Sequence, residues 1–92
     1  MVRYPARTIP KGRLLIGRAL DCQLRLDEPR ASRHHCVLTF DGHDLRIRDL
    51  GSRYGTLVNE RQIGLCETRL KNDDSFSIVA TVIRVDLETA KE

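Results

Sequence analysis

Two short stretches gather most of the side chains able to do chemistry: Arg30, Ser32, Arg33, His34 and His35, then Ser52, Arg53, Tyr54 and Gly55. Ser32 beside two histidines raises covalent catalysis first. A working serine needs a base, a third group to orient that base, and an oxyanion hole. The sequence contains no Gly-x-Ser-x-Gly turn to present such a nucleophile, so no catalytic residue is assigned and no enzyme is expected. The run His34-His35-Cys36 suggests a metal, yet neighbours on a strand point to opposite faces. No two of Cys22, Cys36 and Cys66 stand at the short spacing of a zinc ribbon or disulfide framework. They read as reduced structural thiols, with no metal ligand and no cofactor. What the two stretches do suit is an oxyanion. Arginine offers a planar fork to two oxygens at once, a serine hydroxyl adds a short neutral bond, and glycine lets backbone amides come close.

These residues need a frame that brings two loops together. The chain supplies short apolar alternations broken by turn residues, the pattern of an all-β sandwich or barrel. Leu14-Leu15-Ile16 runs into Gly17; Cys22, Leu24 and Leu26 alternate with Gln23 and Arg25; Cys36, Leu38 and Phe40 alternate with Val37 and Thr39. Asp41-Gly42 offers a hairpin turn, and Leu45 and Ile47 return against Arg46 and Arg48. Further strands are expected at 56–58, 76–79 and 83–87, the last from Ile83, Val85 and Leu87. Ile63, Cys66 and Leu70 fit a helix face as well as a loop, and Gly64 disfavours the helix. That segment is therefore expected to be an irregular connection or short turn. If strands 22–26, 36–40 and 45–50 run up, down and up, loops 27–35 and 51–55 share one end, away from the 41–44 turn. Parity alone does not place Gly17-Arg18 with them.

The 92 residues allow one domain with a modest core. With only 4% aromatic residues, that core must be Leu, Ile and Val. No apolar run reaches the roughly 20 residues that span a bilayer, and Met1 to Pro10 lacks a signal-peptide pattern. An intracellular location and no membrane partner are the expectations. Sixteen basic and thirteen acidic residues leave a charge of +3, with the signs interleaved. A nucleic-acid surface shows a denser basic stripe with stacking aromatics, so direct nucleic-acid binding is not expected. Arg46 and Arg48 read as the solvated side of their strand.

The strings IGRALDCQLRL (16–26), SRHH (32–35) and DLGSRYGTLVN (49–59), in that order and spacing, resemble the forkhead-associated (FHA) family. The likeness covers about residues 14 to 87. It implies a twisted two-sheet β-sandwich with binding loops at one apex, a single domain over 1–92 with its core at about 12–88, excised from a larger protein. It implies binding of phosphothreonine-containing protein segments. Carried over by position, Arg18, Ser32, Arg33 and Arg53 would meet the phosphate, and Ser52 and Tyr54 the peptide. Gly17, His35, Gly55 and Asn59 would be structural, with His35 rather than His34 bracing the loops. Selection of threonine over serine would come from a small apolar pocket for the γ-methyl group. Two departures stand out. Tyr54 replaces the usual asparagine, as in FHA domains of nuclear DNA-damage adaptors, and Glu60 replaces a glycine that commonly closes the Asn-Gly turn. Near the end, Asn72-Asp73-Asp74 replaces a frequent Gly-Asp. The likeness to those adaptors implies a nuclear DNA-damage or checkpoint setting, although bacterial signalling proteins carry the module too. A phosphate-independent interaction or homodimerisation module is the alternative, motivated by Tyr54 and the short lead before Gly17.

Overall fold

Alternating residues become strands wherever one face has a core to enter. The computed structural model describes residues 2–4 and 11–85. Ten strands follow in chain order: β1 (Val2–Tyr4), β2 (Gly12–Gly17), β3 (Leu24–Arg25), β4 (Cys36–Phe40), β5 (Leu45–Asp49), β6 (Leu57–Val58), β7 (Arg61–Gln62), β8 (Thr68–Leu70), β9 (Ser75–Ile78) and β10 (Thr81–Arg84). They form two five-stranded sheets, one in the order β1-β10-β9-β6-β7 and the other β3-β2-β4-β5-β8. Pairing is antiparallel except at the β1–β10 and β2–β3 contacts. Among the described residues there is no helix. This is the expected all-β sandwich.

Register puts the apolar residues inward. Leu14 pairs with Leu38, and Leu38 with Ile47. From the opposite sheet, Phe76, Ile78 and Ile83 meet them in one core. Burying a Leu, Ile or Phe side chain contributes about 1.5–3 kcal/mol, so these rows hold the sheets face to face. Cys22, Leu24 and Leu26 are buried while Gln23 and Arg25 are exposed, although only Leu24–Arg25 pairs as a strand. Among the described strands β3 lies at the sheet edge beside β2, and the Leu26 amide still reaches the Gly17 carbonyl at 2.7 Å.

Three expectations change. In the segment holding Ile63, Cys66 and Leu70, residues 63–67 are the expected irregular connection, but residues 68–70 form the strand β8, and the unexpected strand β7 lies just before it. Arg61 and Gln62 are both exposed and β8 buries only Leu70, so neither shows an alternation that a sequence could display. The expected strand at 76–79 ends at Ile78, and Val79 lies in the β9–β10 turn with φ +56°. The last strand ends at Arg84; Val85 beyond it is buried, and Leu87 lies outside the described residues.

The β6–β7 hairpin carries the Glu60 departure. Leu57 pairs with Gln62 and Val58 with Arg61, leaving Asn59 and Glu60 as the two turn residues. Both have positive φ, 48° and 71°, as the tight turns favoured in hairpins require. Asn59 is suited to this; a glutamate there costs about 1–2 kcal/mol. Part of that is returned by the greater unfolded-chain freedom of glycine. Glu60→Gly is therefore expected to stabilise the fold by about 1 kcal/mol, raising Tm by about 4–8 °C. A thermal melt of the variant beside the parent checks this.

Candidate functional site

The site begins where β2 ends. A Cβ on Gly17 would lie 2.2 Å from the Arg33 carbonyl oxygen and 3.0 Å from the His35 nitrogen. Only glycine lets β2 press this closely on the segment before β4. The approach is fixed by backbone bonds: Arg18 N–H to the Ser32 carbonyl at 3.1 Å, Ala19 N–H to the Arg33 carbonyl at 3.0 Å, and His35 N–H to the Ile16 carbonyl at 2.9 Å. Gly17-Arg18, which parity could not place, thus joins the same end as loops 27–35 and 51–55.

His35 and Ser32 draw in the third loop. The His35 ring is fully buried. Its Nδ1 accepts from the Ser32 amide at 3.0 Å, so Nε2 carries the hydrogen and donates to the Gly55 carbonyl at 2.8 Å. The Ser32 hydroxyl oxygen accepts from the Arg53 amide at 3.0 Å, which leaves its own hydrogen available to a ligand. Gly55 has φ +84°, and a Cβ there would meet the Gln62 side chain at 2.7 Å.

Asp49 organises the 50–55 loop, a role the sequence reading did not assign. Its carboxylate accepts from the Gly51 and Ser52 amides, each at 2.9 Å, from the Ser52 hydroxyl at 2.6 Å and from the buried Thr56 hydroxyl at 2.7 Å. Burial pushes this carboxyl up. The bonds from Ser52, Thr56 and the loop amides more than offset that, and hold it below its ordinary value of 3.8. The signal was present in the sequence: Leu45, Ile47 and Asp49 share one strand face, so a carboxylate stands in an apolar row and demands donors. This network also shows what holds Ser52, the residue expected to meet the peptide. Its hydroxyl donates to Asp49 and accepts from the Gly55 amide at 2.9 Å, so its side chain braces the loop.

Together these loops enclose a hollow of about 400 Å³ lined by Arg18, Pro29, Arg30, Ala31, Ser32, Arg33, Arg53 and Tyr54. Every residue assigned to phosphate lies on its wall. Arg18 Nε donates to the Ala31 carbonyl at 3.0 Å, which fixes the guanidinium at the rim and leaves its two terminal nitrogens. Arg53 stacks its guanidinium 5.6 Å from the centroid of the exposed Tyr54 ring. Arg30 is the exception among the four arginines, since Glu28 binds it at 3.2 Å. Asn59 stands apart: its side chain donates to Asp74 and accepts from the Ser75 amide, both at 3.0 Å, joining the β6–β7 turn to the start of β9. The hollow is cationic, faced by a hydroxyl donor, and built from rigidly tied loops. It suits a compact dianion.

The FHA domain family model matches residues 14–79, from β2 to the turn after β9. The chain belongs to the FHA family. The FHA domain-containing protein FhaA of Mycobacterium tuberculosis is 38% identical over 53 residues, which cover 58% of this chain and 10% of FhaA. A solved FHA domain from a structural and functional analysis of phosphothreonine-dependent FHA interactions superposes with TM-score 0.70 at 33% identity, covering 75% of this chain and 70% of that one. Mycobacterium tuberculosis EmbR, solved with a low-affinity phosphopeptide, gives TM-score 0.73 at 31% identity over 77% of this chain and 18% of EmbR. This chain thus spans a small part of FhaA and of EmbR. FHA domains are interaction modules that bind phosphothreonine peptides in phosphorylation-dependent protein association.

Proposed function

We propose that this FHA domain binds phosphothreonine-containing protein segments through Arg18, Ser32, Arg33 and Arg53, and that it acts as a docking module rather than an enzyme. The observation that carries this reading is the hollow where three loops set arginine forks and the Ser32 hydroxyl around one space. A phosphothreonine brings about −1.5 to −2 charge and three acceptor oxygens at neutral pH. Arg33 and the terminal nitrogens of Arg18 supply paired donors, Ser32 a hydroxyl, and Arg53 a further cation. Tyr54, exposed beside Arg53, is the peptide-facing surface in place of the family asparagine. The relatives described above support this reading, one from phosphothreonine-dependent interactions and one bound to a phosphopeptide.

A nuclear DNA-damage role rests on Tyr54 and the Gly-Thr-x-Val-Asn-Glu run that follows it, whereas FhaA and EmbR are mycobacterial and support phospho-signalling inside a bacterial cell. Fluorescence anisotropy with one peptide in phosphothreonine, phosphoserine and unmodified forms tests the proposal. The phosphothreonine form is expected to bind best. The phosphoserine form should fall behind by about fivefold, the worth of one buried methyl, and the unmodified form should not bind measurably. Equal binding of all three forms, together with a ligand-insensitive dimer in sedimentation, would favour the phosphate-independent alternative instead.

A further inference from the structure

We propose that Asp21, Cys22 and His34 form a binding site for a zinc-class divalent cation, beside the phosphate hollow and independent of it. The sequence offers no such site, because the three residues come from two loops and share no ligand spacing. Folding brings them together. Among the described residues, this trio places a carboxylate oxygen, a thiol sulfur and an imidazole nitrogen all within 4.8 Å of one another. His34 Nε2 lies 2.9 and 3.1 Å from the two Asp21 oxygens, and Cys22 Sγ donates to the Arg33 carbonyl at 3.3 Å. The two loops do not meet through these side chains alone. The Ala19 amide bonds to the Arg33 carbonyl, and the Cys22 amide to the Ala19 carbonyl at 3.2 Å. The donors are therefore carried on backbone already fixed before any ion arrives.

The donor set selects the ion. Thiolate and imidazole suit zinc and cobalt, whereas calcium and magnesium require a shell of oxygens that one carboxylate cannot supply. Three protein ligands leave a fourth position open to water. Tetrahedral zinc sets its ligand atoms about 3.3–3.8 Å apart. Asp21 and His34 are both exposed, so rotating their side chains brings the trio to that spacing. On binding, Cys22 gives up its thiol proton to solvent, and the His34 proton resides on Nδ1 so that Nε2 ligates. The carboxylate and thiolate then match the two charges of the ion. The Cys22 thiol also leaves the Arg33 carbonyl, and the ion then ties loop 18–22 to the side chain of His34, the residue that follows Arg33 of the phosphate hollow.

Cobalt titration of the tag-free 92-residue chain, followed by absorbance, tests the site. One cobalt per chain is expected, with a thiolate-to-cobalt charge-transfer band, the visible bands of tetrahedral cobalt, and displacement by zinc but not by magnesium. Cys22→Ser and His34→Ala should each weaken binding by more than about tenfold, while Cys66→Ser leaves it unchanged. A chain that shows no charge-transfer band overturns the proposal. So does a band lost in Cys66→Ser yet kept in Cys22→Ser. Should Cys22→Ser fail to fold, the exposed positions decide: full cobalt affinity in both Asp21→Asn and His34→Ala overturns it equally.

Discussion

Arg33→Ala is expected to weaken binding of a phosphothreonine peptide about tenfold or more, and Ser32→Ala to do the same, because each removes a hydrogen bond to a charged group worth about 1.5–3 kcal/mol. The two variants act by different routes. Arg33 is exposed and its backbone carbonyl, not its side chain, holds loop 18–22 through the Ala19 amide. Truncating the side chain leaves the frame intact and removes charge, so the loss should shrink as salt rises. Ser32 does more, since its oxygen also accepts from the Arg53 amide. Its truncation loosens loop 50–55 and adds a component that salt does not touch. Anisotropy titrations at two ionic strengths separate these contributions. Unchanged affinity in both variants would remove the assignment of these residues to the phosphate.

Asp49→Ala is expected to destabilise the domain by about 3 kcal/mol, lowering Tm by more than about 10 °C. Four donors converge on this carboxylate. The Thr56 hydroxyl is fully buried, so truncation leaves it only the weakly accepting Cys36 sulfur and no ready access to water. Acid should imitate the substitution. The Asp49 pKa is depressed in the folded chain, so its stabilisation is complete above the ordinary value of 3.8 and fades as pH falls through the lower folded value. Urea unfolding at pH 7 and near pH 3 checks both statements. The parent should lose stability toward acid, and Asp49→Ala should lose less. Parallel acid limbs for the two proteins would show that this carboxylate is not the group responsible.

The sequence was informative where burial and alternation coincide. Residues 36–40 became β4 with the expected ends, and the inward set Cys22, Leu24 and Leu26 is correct even though two of them lie beyond the hydrogen-bonded strand. Strand parity placed loops 27–35 and 51–55 at one end, as the bond between Ser32 and Arg53 shows. The rest was hidden for identifiable reasons. Strands β7 and β8 lie at sheet edges and bury one side chain between them, so hydrophobic periodicity had nothing to report. The inward turn of the Ser52 hydroxyl depends on Asp49, three residues earlier, closing a local ring of bonds. Residue type alone makes Ser52 look as available as Ser32. The nearness of Asp21 to His34 depends on the close packing that Gly17 permits, a tertiary property with no local signature.

The bond from the Arg53 amide to the Ser32 hydroxyl joins residues 21 positions apart, so the binding surface exists only when the sheet beneath it is assembled. A ligand that recognises this surface has no purchase on the unfolded chain, and mass action must then shift the folding equilibrium toward the native state. At a free concentration one hundred times its Kd, such a ligand adds about 2.7 kcal/mol. A melting curve recorded with and without a bound peptide is therefore an affinity measurement in its own right, requiring neither a label nor an immobilised partner.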